Sequence, residues 1–309
     1  MQALPQISPF RWFIILIFWV SGWNVPLAQV AFDSDNPEYF KYYGIPGQKV
    51  YESLAEALKK PEEVYKLRLH GEYLADKAHR LARLSRVQIL DLDDNYLKEL
   101  PATLGAMTGL MILVSRRNRI QYLSPELAKA RGLMYMELYG TALDSVPGFF
   151  GQFQRLELLR IGPNYADTLR LSPSMAQMAS LRDLQLLDCR LHRIPEWLPS
   201  LKNLERLVLI RCEIDTVQTA LRQLTRLKAL DLSGNRLRAF PKELYHIRNL
   251  EYLALRDNQL TEIPENILFL NRLQTLDLRG NPILPENLRL LQLALPRCRI
   301  IWEPPRPKN

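Results

Sequence analysis

Leu250-Glu251-Tyr252-Leu253-Ala254-Leu255-Arg256-Asp257-Asn258-Gln259-Leu260-Thr261-Glu262-Ile263-Pro264 is the stretch that decides the fold of this chain. Leucines fall at its first, fourth, sixth and eleventh places, asparagine at the ninth, and an apolar residue followed by proline at its end. Around Leu253 and Leu255 the pattern alternates at period two, as in a short strand. Those two leucines therefore turn to one face, and Tyr252, Ala254 and Arg256 turn to the other. The same pattern begins at Val64, Val87, Leu110, Leu133, Leu156, Leu181, Leu204, Leu227, Leu250 and Leu273. Eight of the nine steps are 23 residues, and the step from Leu156 to Leu181 is 25. One such unit cannot bury its own apolar face, so a fixed period of this length means stacked units, a solenoid.

The ninth place carries Asn95, Asn118, Asn164, Asn235, Asn258 and Asn281, with Cys189, Cys212, Glu72 and Thr141 as substitutes. A carboxamide both donates and accepts, so it can satisfy backbone groups inside the turn that leaves each strand. Apolar–proline pairs follow at Leu100-Pro101, Val146-Pro147, Ile194-Pro195, Phe240-Pro241 and Ile263-Pro264. Proline fixes φ there and starts a return path expected to hold a short helical turn.

With Leu250, Leu253, Leu255, Asn258, Leu260 and Ile263-Pro264 in these places, the chain resembles the leucine-rich repeat family. Its proline-bearing form of 23 residues resembles a subclass of bacterial and scaffold-type proteins. The resemblance implies an α/β solenoid: a horseshoe of about ten repeats, short parallel strands on the concave face, a helical or irregular convex side, and caps at both ends. It is specific for the fold and carries no particular partner. Two departures stand out. The repeat from Leu156 has two extra residues within 164–174, and the repeat from Leu110 places Ser115 where an apolar residue belongs.

Residues 1–28 read as an export signal: Arg11 precedes the apolar run 12–20, with small residues after it. Nine strongly apolar residues fall short of the ~20 that a bilayer core requires, which favours a cleaved signal over a retained anchor. Residues 29–63 read as an N-terminal cap, in which Ser53 and Glu56 would form a capping box ahead of a helix ended by Pro61. The repeats occupy 64–284. Pro285 opens a helix in a C-terminal cap, 285–301, where Leu295, Cys298 and Ile300 would repeat the first three core places. Residues 302–309 form a tail with three prolines.

The formal charge is +8. Strand positions on the open face are balanced in sign, and much of the excess sits just before the strands, at Arg86, Arg131, Arg155, Lys202, Arg226, Arg248 and Arg272. Nucleic acid is disfavoured on that ground, while a basic edge leaves a membrane surface or polysaccharide as a secondary partner. The three cysteines hold structural places and are expected as free thiols, although the rung spacing of ~4.8 Å leaves a Cys189–Cys212 bridge possible. No motif of nucleophilic, metal or phosphate chemistry occurs, so no enzyme, no cofactor and no metal site is expected. Asp91-Leu92-Asp93-Asp94-Asn95 looks like the start of a calcium loop, but Tyr96 stands where glycine is needed. The repeat explains the same residues.

These observations lead to a non-enzymatic, exported recognition module that binds a protein or peptide on its concave face. Tyr and Arg are favoured as interface anchors. They concentrate in one patch, Ile112, Val114 and Arg116, then Tyr135, Glu137 and Tyr139, then Leu158 and Arg160. Arg206, Val208, Ile210 and Arg211 make a second patch. On this reading, alanine at Tyr135 and Tyr139 would leave the fold intact. Alternatives are adhesion to carbohydrate or an envelope surface through the basic edge, and an intracellular signalling scaffold if the apolar run is no signal.

Overall fold

The computed structural model describes residues 47–162, 168–217 and 219–304. The expected signal, the first part of the N-terminal cap, Asn164 and residues 305–309 lie outside the described residues.

Because each repeat offers its leucines at the same places, each strand stacks on the next in register. Twelve strands form one parallel sheet in chain order. It starts at Val50–Tyr51 and Lys66–Arg68, runs through Tyr135–Tyr139 and Leu158–Ile161, and ends at Thr275–Asp277 and Arg299–Ile301. Ile89 lies beside Ile112, Tyr135 beside Leu158, and Arg206 beside Ala229, always one period apart. The inward residues Leu67, Leu90, Leu113, Met136, Leu159, Leu184, Leu207, Leu230, Leu253 and Leu276 are all 0 % exposed. The return side is built of 3₁₀ turns such as Ala102–Ala106, Pro125–Lys129, Lys242–His246 and Glu265–Phe269. Their Leu104, Leu127, Leu244 and Ile267 close the core from the convex side. The two-residue insertion falls beside a small second sheet, Ser145–Val146 with Arg170–Leu171.

Strand and turn are joined by the ninth residue. Asn235 Oδ1 accepts from the N–H groups of Cys212 and Ile214, both at 3.0 Å. Its Nδ2 donates to Leu209 O at 2.7 Å and Leu232 O at 2.8 Å. One side chain thus ties two rungs together. Asn95, Asn118, Asn258 and Asn281 repeat the arrangement. Glu72 suits the first repeat, because its Oε1 accepts from Leu54 N–H at the N-terminus of the cap helix. Cys189 and Cys212 are free and buried, and each thiol donates to a carbonyl: Cys189 to Leu187 O at 3.2 Å, Cys212 to Leu186 O at 3.4 Å. Ser115 is buried in its apolar place and accepts from Asn118 Nδ2 at 2.9 Å, which explains that departure.

The residue before the ladder position turns left-handed, a feature the leucine pattern does not announce. It is Gly71, Gly140, Gly234 or Gly280 in four repeats, and Asp94, Arg117, Asp188, Arg211 or Asp257 in five more, with φ between 51° and 69°. In the longer repeat Gly162 has φ 124°, and a Cβ there would lie 2.0 Å from Leu187 O, so glycine is required.

Two cap expectations are corrected. The N-terminal cap helix is Leu54–Ala57, and Ser53 makes no side-chain cap, because Glu56 reaches Lys49 Nζ at 2.7 Å instead of its own helix start. At the other end the helix is Pro285–Ala294, but Ile300 lies beside Leu276 and Ile301 beside Asp277. Ile300 therefore takes the fourth place, not the sixth, since an α-helix returns the chain in a different phase from a 3₁₀ turn.

Asn235→Ala leaves two buried donors and two carbonyls without this partner. It is expected to cost about 2–4 kcal/mol of stability, read as a lower midpoint in urea unfolding.

Candidate recognition surface

Residues at the third, fifth, seventh and eighth places of each repeat leave the core and face the concave side. The structure puts all twelve partner-binding candidates there, but it does not leave them all open. Tyr139, Arg160, Arg206 and Ile210 are half-buried and Arg211 is exposed. Ile112, Val114, Arg116, Tyr135, Glu137, Leu158 and Val208 are buried. Ile112, Val114, Tyr135 and Leu158 join Ile89 in a second apolar cluster, separate from the main core, with Val50 and Met111 packed against it. Side chains one rung apart stand ~4.8 Å from one another on a face that curves inward, so bulky neighbours cover each other.

Polar groups at the edge of this cluster are tied to it. Tyr135 OH donates to Glu137 Oε2 at 2.7 Å, and Arg160 Nη1 donates to Glu137 Oε1 at 3.3 Å. Arg160 also lies over the Tyr139 ring, 5.2 Å from its centroid. Towards the N-terminus, Asp93 accepts from Arg116 Nε at 2.7 Å and from its backbone N–H at 2.6 Å. Burial first and the Asp91 carboxylate second push the Asp93 carboxyl up to about 7, against the pull of Arg116. On the rim, Arg117 forks onto Asp94 and Arg211 onto Asp188.

Beyond Arg160 the same columns carry a polar band, half-buried to buried, of which the sequence patches include only Arg206. Asp183, Gln185, Arg206, Asp231, Tyr252 and Asp277 follow one another on adjacent strands. Burial raises the carboxyls of Asp183 and Asp231, with Arg206 opposing in both. Asp183 and Tyr252 hold third places and Gln185, Asp231 and Asp277 fifth places, so the repeat phase puts them on this face, but they lie outside the tyrosine and arginine clusters.

The basic edge keeps its charge, and two of its arginines are held in place by neutral carboxamides. Arg226 donates to Asn203 Oδ1 at 2.5 Å, and Arg272 to Asn249 Oδ1 at 2.8 Å. Next to them runs a ladder of alternating sign: Arg182 between Glu157 and Glu205, and Lys228 on Glu205 at 2.9 Å. Among the described residues no helix is long and apolar enough to cross a membrane.

A family model described as leucine rich repeat matches residues 179–237, and a second of the same description matches 249–270 and 272–293. No curated protein matches the chain. Among solved structures, it is similar to an internalin from Listeria monocytogenes, with 15 % identity and a TM-score of 0.61 over 83 % of this chain and 74 % of that one. It is similar to TLR13 in a complex with ssRNA13, with 26 % identity and a TM-score of 0.63, over 74 % of this chain and 34 % of that one. It is also similar to a TDR receptor, with 21 % identity and a TM-score of 0.61, over 84 % of this chain and 47 % of that one. The likenesses under 25 % identity carry the fold alone.

Two outcomes follow from the burial. Tyr135→Ala is expected to lose about 3 kcal/mol of stability by opening the second cluster, whereas Tyr139→Ala stays within ~1 kcal/mol. The double variant is therefore not a neutral probe of binding, and chemical denaturation of the two single variants separates the effects. Asp93 has a folded value of about 7 against an ordinary 3.8. A raised carboxyl adds stability below its unfolded value and loses it as pH rises through the folded one. The melting temperature is thus expected to fall across that interval and level off above it, and Asp93→Asn should flatten the fall.

Proposed function

Because the chain is a leucine-rich repeat protein, we propose that it is a non-enzymatic recognition module, exported from the cytoplasm, that holds a protein or peptide against its concave face. One observation carries the reading. The sheet presents a continuous row of side chains that the main core does not use, and from Tyr139 onward half-exposed to exposed members, Tyr139, Arg160, Ile210, Arg211, Tyr252 and Arg256, stand among buried ones such as Gln185, Val208 and Asp277. An aromatic ring beside arginines, with carboxylates between them, suits a polar peptide backbone and charged side chains of both signs. The anchors therefore shift from Tyr135 toward Tyr139, Ile210 and Arg211. Glu137, itself held by Tyr135, acts from beneath by fixing Arg160.

Export rests on Arg11 and the apolar run 12–20, together with a fold shared with an internalin and with receptors. Adhesion through the basic edge is the weaker alternative, since the residues beside it, Glu157, Arg182, Glu205 and Lys228, alternate in sign. An intracellular scaffold would require the apolar run to remain inside the cell.

Proteins captured by the wild-type chain and lost with Ile210→Asp/Arg211→Glu would mark the concave rim, with affinity expected to fall at least about tenfold. Capture unchanged by that variant, or heparin retention that survives it while capture is absent, would sink the proposal. Protease digestion of intact cells tests export separately, and protection of the chain would place it inside.

A further inference from the structure

We propose that the convex side of the first repeat is a second contact surface, where Lys77, Arg80 and Arg83 form a cationic row that takes an acidic polysaccharide. The repeat pattern breaks at this point. The fourteenth place is apolar in later repeats, and Leu100, Leu123, Val146, Ile194 and Phe240 are buried there. The pair Leu100-Pro101 of the next repeat becomes Lys77-Ala78 here, and Lys77 is exposed. A terminal repeat is expected to be more polar than its neighbours, but that does not select one sign of charge. From 77 to 90 the chain carries Lys77, Arg80, Arg83 and Arg86 and no acid.

The return turn aligns these cations. Ala78–Arg83 is a 3₁₀ helix with Lys77 as its N-cap, and in such a helix side chains three residues apart stand above one another. Ala78, Leu81 and Leu84 fall in one row and pack on the core. Lys77, Arg80 and Arg83 fall in a second row, all exposed, at steps of about 6 Å. Arg86 follows beyond the helix, where its Nη1 donates to Tyr65 OH at 3.2 Å and to Glu62 O at 3.3 Å, both uncharged acceptors.

Cations nearby are neutralised: Arg68 by Glu52, Arg116 by Asp93, Arg117 by Asp94, and Lys129 by Glu126. Among the described residues no ion pair reaches Lys77, Arg80, Arg83 or Arg86. The adjoining turn, Ala102–Ala106, carries no charge, so nothing on that side cancels the field of the row.

The surroundings select the kind of anion. Ala82, Ser85, Ala102 and Ala106 are exposed and small. They offer no large apolar group to enter a lipid interface, and none to form the dry centre of a protein contact. A solvated linear polyanion needs neither. Tyr73, four residues before Lys77, is 67 % exposed and stacks on Tyr96 with ring centroids 5.6 Å apart. Sugar rings lay their C–H faces against aromatic groups, while sulfates or carboxylates of the same chain reach the row.

Anisotropy titration of labelled heparin with the full chain is expected to show binding that weakens as salt is added. Lys77→Glu/Arg80→Glu/Arg83→Glu should weaken it at least about tenfold, each single reversal should give part of that loss, and circular dichroism should not change. Tyr73→Ala should weaken heparin but not polyglutamate. Arg226→Glu/Arg272→Glu, at the edge before the strands, should leave heparin binding within about twofold. No binding at low ionic strength, a triple variant that binds like the wild type, or heparin indifferent to Tyr73→Ala would overturn the proposal. Tighter binding to phosphatidylglycerol vesicles or to duplex DNA would assign the row to lipid or nucleic acid and overturn it as well. Heparin binding should survive Ile210→Asp/Arg211→Glu, so this surface and the concave face fail separately.

Discussion

A buried carboxamide at the turn of each repeat is the interaction on which the stack depends. The chain must leave every strand sharply, through a left-handed residue, and this strands backbone donors and acceptors away from water. Asn235 shows the solution: it takes two N–H groups from the preceding repeat and gives its own protons to a carbonyl in each rung. Leucines supply the burial, but burial has no direction. The carboxamide supplies the direction, and it fixes the register at one period per rung.

The ladder weakens in the middle of the chain, where the sheet lengthens. Cys189 and Cys212 keep the donor but offer only a weak acceptor, and Thr141 Oγ1 is buried without a partner among the described residues. The strands leading into these positions are Tyr135–Tyr139, Asp183–Leu187 and Arg206–Ile210, of five residues each. Those leading into Asn235, Asn258 and Asn281 have three. Longer strands add main-chain bonds where the side-chain bonds are missing. Ile112–Arg116 is equally long although Asn118 follows it, so compensation is not the only cause of length. That strand carries the second apolar cluster, which gives a separate reason.

How much of this was legible depended on whether a residue answers to its own repeat or to something outside it. Leu253, Leu255 and Asn258 answer to the repeat, so spacing alone places them. The left-handed residue also recurs once per repeat, yet glycine, aspartate and arginine share it, and a search by residue type does not collect Gly140, Asp188 and Arg211 into one column. Glu56 and Ile300 answer to neighbours outside the pattern. Lys49 draws Glu56 off its helix, and an α-helix in place of a 3₁₀ turn moves Ile300 by two places. Depth on the concave face was hidden for another reason. Facing away from the main core is a property of one strand, but exposure is a property of several strands together.

That distinction divides the concave face into two parts with different physical characters. From Ile89 to Leu158 its side chains satisfy one another: Ile112, Val114 and Tyr135 pack together, Asp93 holds Arg116, and Glu137 takes both Tyr135 and Arg160. A surface already satisfied in this way gains little from a ligand, because any new contact must replace an existing one. From Tyr139 onward the columns hold smaller residues, Ala229, Ala254 and Thr275, and Arg206, Asp231 and Arg256 beside them remain partly in water. Charges that are half-desolvated and fixed by their strands lose little further freedom on binding. The N-terminal half is thus a packed wall, and Arg160, held by Glu137 and lying over Tyr139, marks the line where it gives way to the proposed contact surface.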